Sequence, residues 1–128
     1  MLKESDLGYT AGIVDGESTI ACYYNKGSKN MQQYVKVRMK YDKVPKWLLK
    51  KWGGSLAHDK IGTWSWKLSS IPATQMLKYI MPYMVEKKTQ ARIFIRLRHL
   101  KASHKGPDTP DLKIKKRKLY KLLIDLHN

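Results

Sequence analysis

Gly8, Gly12 and Gly16 recur every four residues inside a segment, 6–16, whose other residues suit a helix. An interior glycine costs a helix about 0.5–1 kcal/mol relative to alanine. Spacing of four sets all three on one face, and a bare stripe of that kind lets another backbone come very close. Two acids, Asp15 and Glu17, stand at the expected C-terminal end of the helix. The macrodipole disfavours negative charge there by about 0.3–1 kcal/mol each. A segment that departs twice from local preference is the first place to look for function. The stripe also suits a helix crossing within one subunit, and Glu17 also suits a solvated carboxylate.

A chain of 128 residues fits one domain, expected here as 1–128 with a core over about 5–102 and a basic C-terminal helix over about 111–127. The balance of 26 Lys+Arg against 10 Asp+Glu gives a formal net charge of +16. That excess favours a polyanion partner, most simply nucleic acid, through release of condensed counterions. An anionic membrane surface competes less well, because basic residues fall on alternating stretches as well as on helices. Cys22 is the single cysteine, so an intrachain disulfide and a cysteine-based zinc site are excluded. It reads as a small buried apolar residue. Lys3, Glu4 and Asp6 interrupt the start, so no signal peptide is expected. No apolar run reaches spanning length, and an intracellular location with no membrane partner is the expectation.

Periodicity lays out the rest. Ser5 is the expected N-cap of the first helix. Residues 19–24 alternate as a strand, with Ile20, Cys22 and Tyr24 opposite Thr19, Ala21 and Tyr23. After a turn at 26–30, residues 33–41 alternate again: Val35, Val37 and Met39 oppose Tyr34, Lys36, Arg38 and Lys40. Pro45 opens a helix to Trp52, and Gly53-Gly54 closes it. A second hairpin spans 55–69 around a Lys60–Gly62 turn, with Trp64, Trp66 and Leu68 opposite Thr63, Ser65 and Lys67. Pro72 opens a third helix, residues 86–101 a basic fourth, and 111–126 a last one with an apolar stripe of Leu112, Leu119, Leu122, Leu123 and Leu126. The tryptophans are assigned to the core, and the four histidines have no ligand spacing. The class is α+β: a four-stranded antiparallel sheet with helices on one face, plus extra C-terminal helices. The open sheet face would carry Tyr23, Asn25, Lys36, Arg38, Lys40, Ser65 and Lys67, too basic for a core.

Thr10-Ala-Gly-Ile-Val-Asp-Gly-Glu-Ser18 resembles the signature of the LAGLIDADG homing endonucleases. The element order matches that family's αββαββα half-unit. Trp52-Gly-Gly-Ser-Leu56 and Met81-Pro-Tyr-Met-Val-Glu-Lys-Lys-Thr-Gln-Ala91 are further echoes, so the resemblance spans about 7–98. It implies that signature helices of two half-units pack together, so Gly8, Gly12, Ile13 and Gly16 would form the seam of a homodimer. It implies that the last acid of the signature, Glu17 here, binds divalent metal at the cleaved phosphates. Mg2+ is the usual ion and Mn2+ a plausible one. Asp15 matches the preceding, more structural acid and is carried as a second candidate for catalysis and metal. Lys87 matches a family lysine that assists the attacking water, with Lys88 beside it. Ser18 stands where the family has its final glycine, and Thr10 where it has its first leucine. The polar residue at the end of the second strand falls on Lys40 or Asp42.

Only one copy of the signature is present, which implies a symmetric dimer and a roughly palindromic duplex target. Tyr23, Asn25, Tyr34, Lys36, Arg38, Lys40, Ser65, Lys67 and Lys88 are the expected DNA contacts. The expected activity is metal-dependent phosphodiester hydrolysis giving a double-strand break at a long pseudo-palindromic site, tied to intron or intein homing. Two rivals share the scaffold: an intron maturase that binds RNA, and a DNA-binding regulator without chemistry.

Overall fold

The computed structural model describes residues 2–24, 31–102 and 109–127. Asn25, the 26–30 turn and the 106–108 break lie outside the described residues. Helix α1 (Glu4–Glu17) leads into strand β1 (Ser18–Tyr24), β2 (Met31–Met39), α2 (Lys43–Trp52), β3 (Ser55–His58) and β4 (Trp64–Ser69). Then come α3 (Ser70–Ile80), a 3-10 turn (Met81–Tyr83), α4 (Lys88–Ala102) and α5 (Pro110–His127). The strands form one antiparallel sheet in the order β1-β2-β4-β3. The α+β class and four-stranded sheet read from the sequence are those observed.

α1 forms despite its glycines because its other face is pinned. Ala11 and Val14 are fully buried, and the Trp52 indole N–H donates to the Thr10 hydroxyl at 3.0 Å. Lys51 pairs with Asp6 at 3.3 Å, and the Tyr9 and Trp47 rings meet edge to face at 4.8 Å. The helix starts before the expected Ser5 cap. Lys3 is the capping residue, and its backbone N–H donates to the Asp6 carboxylate at 3.0 Å. A carboxylate one turn in can satisfy the helix entry as well as a capping hydroxyl does. At the other end the Ser18 hydroxyl donates to the Val14 carbonyl at 2.6 Å.

Pro45 and Pro72 each sit at the third helical position rather than the first. The N–H groups of the first turn have no intrahelical partner, so proline is tolerated throughout it. α4 begins at Lys88, two residues later than the charge pattern suggests, because Asp15 holds the segment before it. β2 ends at Met39, which leaves Lys40 exposed in the turn before α2 and off the sheet.

The core lies between one sheet face and the helices. Ile20, Cys22, Val35, Val37, Trp66 and Leu68 meet Leu48, Met76, Leu77, Ile80, Phe94, Leu97 and Leu123. Trp66 is fully buried, and its indole donates to the Gly53 carbonyl at 2.8 Å. A β-carbon at Gly54 would collide with the Lys67 carbonyl oxygen, and its φ of 95° suits glycine. Cys22 is buried as expected, and that burial pushes its thiol up to about 12. Gln33 enters the same layer: its amide donates to the Phe94 carbonyl at 2.8 Å and to Cys22 Sγ at 3.3 Å. The leucine stripe of α5 is only partly used. Leu123 is buried, but Leu122 and Leu126 are 52% and 45% exposed; α5 packs mainly on α4 and on β1, an edge strand of the sheet.

Candidate active site and nucleic-acid interface

The end of α1 gathers three of the expected residues. Asp15 accepts the Val85 N–H at 2.6 Å through Oδ2 and the Lys87 N–H at 3.1 Å through Oδ1. Both oxygens are thus taken by the stretch of chain that leads into α4. Lys87 turns back and donates from Nζ to the Ser18 carbonyl. Its ammonium is held below the ordinary lysine range by burial, while the charges of Asp15 and Glu17 pull the other way. Glu17 is exposed, and its carboxylate has no hydrogen-bond partner among the described residues. So the acid at the tip is unengaged among the described residues, the acid before it is a staple, and the lysine is near enough to feel both charges.

The glycine face of α1 is open. A β-carbon added at Gly8, Gly12 or Gly16 would meet nothing within 4 Å. Among the described residues no helix of the same subunit crosses the stripe, which removes that explanation for the glycines. Ile13 is half-buried and packs partly on the core. No group of three or more His, Cys, Asp or Glu side chains lies together among the described residues, so one chain offers Glu17 as a single unengaged carboxylate at this tip.

The open sheet face is ordered in rows by the strand register. Thr19, Lys36, Lys67 and Ser55 form one row across all four strands. Ala21, Tyr34 and Ser69 form the next, then Tyr23 and Gln32. On the other side Arg38, Ser65 and Ala57 align. The Tyr23 and Tyr34 rings meet edge to face at 6.0 Å, and Lys67 Nζ sits 5.3 Å from the Tyr34 ring centre. Desolvation pushes the Tyr34 hydroxyl above its ordinary value. The face therefore mixes cationic, hydroxyl and amide groups on the side of the sheet away from the core helices.

Of the expected DNA contacts, Tyr23, Tyr34, Lys36, Arg38, Ser65 and Lys67 share this face, Lys88 opens α4, Lys40 is displaced into the turn, and Asn25 lies outside the described residues. Asp42 is tied to Lys46 at 2.6 Å, and that lysine's hydrogen bond holds its carboxyl low. Trp66 is core as expected, whereas Trp47, Trp52 and Trp64 are half-buried. His58 stacks on Trp64 with ring centres 4.1 Å apart.

Sequence reasoning missed Asp59. Its Oδ1 accepts the Ile61 and Thr63 N–H groups at 3.1 and 2.9 Å, and its Oδ2 pairs with Arg38 at 3.1 Å. The Thr63 N–H leads the causes that hold its carboxyl low. An aspartate opening a turn before glycine is the signal that was available.

No protein-family model matches the sequence, and comparison with curated proteins finds no match. Solved structures do match. The homing endonuclease I-CvuI, in complex with a DNA target in the presence of 2 mM Mg, superposes with a TM-score of 0.83 at 16% identity, over 96% of this chain and 82% of that one. The archaeal intron-encoded homing endonuclease I-Vdi141I, complexed with DNA, gives 0.78 at 14% identity, over 96% of this chain and 84% of that one. The DNA-bound meganuclease I-SmaMI gives 0.76 at 14% identity, but this chain spans only 45% of it. The architecture of this chain is that of the LAGLIDADG homing endonucleases.

Proposed function

We propose that this chain is a homodimeric, divalent-metal-dependent DNA endonuclease that makes a double-strand break at a long pseudo-palindromic site, in the manner of intron or intein homing. One observation carries the reading: the unengaged Glu17 carboxylate stands at the end of a helix whose glycine face is bare, with Lys87 against the same tip. Two copies meeting along Gly8, Gly12 and Gly16 would bring two Glu17 carboxylates together. Close like charges are costly unless a cation lies between them. Mg2+ fits such a place, since it binds through one or two carboxylates and completes its shell with water and phosphate oxygens. When bound, such an ion supplies charge stabilisation at the phosphate and a more acidic water.

The protein's own groups do the rest. Lys87, with its proton loosened by burial, stabilises charge on the phosphate or polarises the attacking water. Asp15 positions Lys87 through the backbone rather than touching the reacting atoms. Lys36, Arg38, Lys67, Tyr34 and Ser65 lie on a ribbon that suits the major groove, about 12 Å wide. Lys88 meets the backbone near the cut. The chain spans most of I-CvuI and I-Vdi141I but under half of I-SmaMI, which supports one unit per chain and a pair per active particle. No helix among the described residues is long and apolar enough to cross a membrane.

The test is cleavage of randomised duplex DNA with Mg2+ present. Wild type is expected to cut a recoverable site. Glu17→Gln is expected to lose at least about 100-fold in rate, the scale of a removed charge-stabilising group, while still binding that site. A Glu17→Gln variant that cuts at the wild-type rate would sink the assignment.

A further inference from the structure

The open sheet face holds only a small part of this chain's charge. Lys36, Arg38 and Lys67 lie on it, and Arg38 is already paired with Asp59. The net charge is +16, so most of the excess sits elsewhere. α5 carries Lys113, Lys115, Lys116, Arg117, Lys118 and Lys121 against Asp111 and Asp125. Five of its six cations crowd the first half, the end where the macrodipole disfavours them. Lys113, Lys115, Arg117 and Lys118 are exposed. The exposed apolar side chains of this helix, Ile114, Leu122 and Leu126, are aliphatic. Cations without exposed aromatic neighbours suit backbone charge rather than stacked bases.

The hydrogen bonds fix where that half lies. Lys87 on the Ser18 carbonyl sets the start of α4 beside the start of β1. Further along, Phe94 meets Gln33, which pairs with Cys22 in the outer part of β1. Gln90 near the start of α4 donates to the Leu126 carbonyl at the end of α5, at 3.2 Å. Seven residues separate Ala102 from Pro110, so α5 runs back antiparallel to α4. Its basic half therefore lies toward the Tyr24–Met31 end of the sheet, the end remote from Glu17. β1 is an edge strand, and α5 packs against it.

We propose that the first half of α5 is a phosphate clamp for the duplex DNA flanking each half-site, beyond the footprint of the sheet. It rests on the DNA-binding reading above. The clamp is sequence-independent, because phosphate contacts place a protein without reading bases. It adds affinity and salt dependence to a recognition surface that is itself only modestly charged.

Two duplexes test it, both carrying the site that wild type selects from randomised DNA. One is trimmed to about 21 base pairs, two helical turns, and the other is extended by about 10 base pairs at each end. Wild type is expected to bind the longer duplex about 10-fold or more tighter near physiological salt. The combined variant Lys113→Gln, Lys115→Gln, Arg117→Gln and Lys118→Gln keeps good helix formers throughout. It is expected to lose that length preference, with a salt slope on the long duplex shallower by about two or more. The bases it selects should be those of wild type. A variant that keeps the length preference and the slope overturns the clamp. So does one that weakens equally on both duplexes with an unchanged melting temperature. A wild-type chain that binds neither duplex overturns the DNA reading itself, and the clamp with it.

Discussion

Asp59 and Lys87 show how single residues hold the open sheet face and the tip of α1 on which the proposed function rests. Asp59 uses one oxygen for the turn and the other for Arg38. An exposed ion pair adds little stability, so its weight falls on where the guanidinium points. Asp59→Asn keeps an oxygen for the turn and gives Arg38 a nitrogen to face. That variant is expected to melt close to wild type yet bind random DNA more tightly, as a released arginine finds phosphates. Asp59→Ala should melt lower than either. Equal DNA binding by all three, measured by fluorescence anisotropy, would remove Asp59 from recognition. Lys87 carries a pH signature. Burial lowers its proton affinity in the folded chain, whereas the unfolded chain keeps the ordinary value of 10.5. Between the lowered value and 10.5 the unfolded chain binds more protons, so stability attributable to Lys87 rises with pH across that window. Its burial penalty is fully present below it. The melting temperature of wild type should therefore climb relative to Lys87→Met as pH is raised from neutral to about 10.5. A constant gap would show that the lysine is not desolvated.

At the scale of elements, α1 separates two demands that usually conflict. Thr10, Ala11 and Val14 face the core, while Gly8, Gly12 and Gly16 face nothing of their own subunit among the described residues. Gly12→Ala removes backbone entropy from the unfolded chain without a clash. It should stabilise an isolated subunit by about 0.5–1 kcal/mol and weaken self-association. Dilute thermal melts and sedimentation separate the two effects; tighter association in the alanine variant would place the seam elsewhere. The strands were legible because alternation survives any detail of packing: Val35 and Val37 point inward, Lys36 and Arg38 outward. Helix starts were less so. Pro45 and Pro72 mark a first turn but not a first residue, and the start of α4 depends on a carboxylate far back in the chain, on Asp15. The buried amide of Gln33 had no local signal, since its partner is a helix carbonyl reached only after folding. At the tip, position in the helix pointed to Asp15 and Glu17, and the family resemblance added Lys87. Only coordinates distinguish the free acid from the bound one.

Across the whole molecule, the described residues hold one signature helix, one sheet and one unengaged carboxylate at the end of that helix, so the proposed chemistry is collective. Mixing offers the cleanest check. If each double-strand break needs Glu17 from both protomers, co-refolded mixtures of wild type and Glu17→Gln should cut in proportion to the square of the wild-type fraction. A linear dependence, read from initial rates on linear duplex, would make the single chain the working unit. The same molecule also has a history written into its bonds. Asp15 leaves the ribosome long before Val85 and Lys87, whose N–H groups it will hold. Until those residues emerge, the tip of α1 is an acid without its tether. The tether that fixes the proposed reactive end is thus completed only late in synthesis.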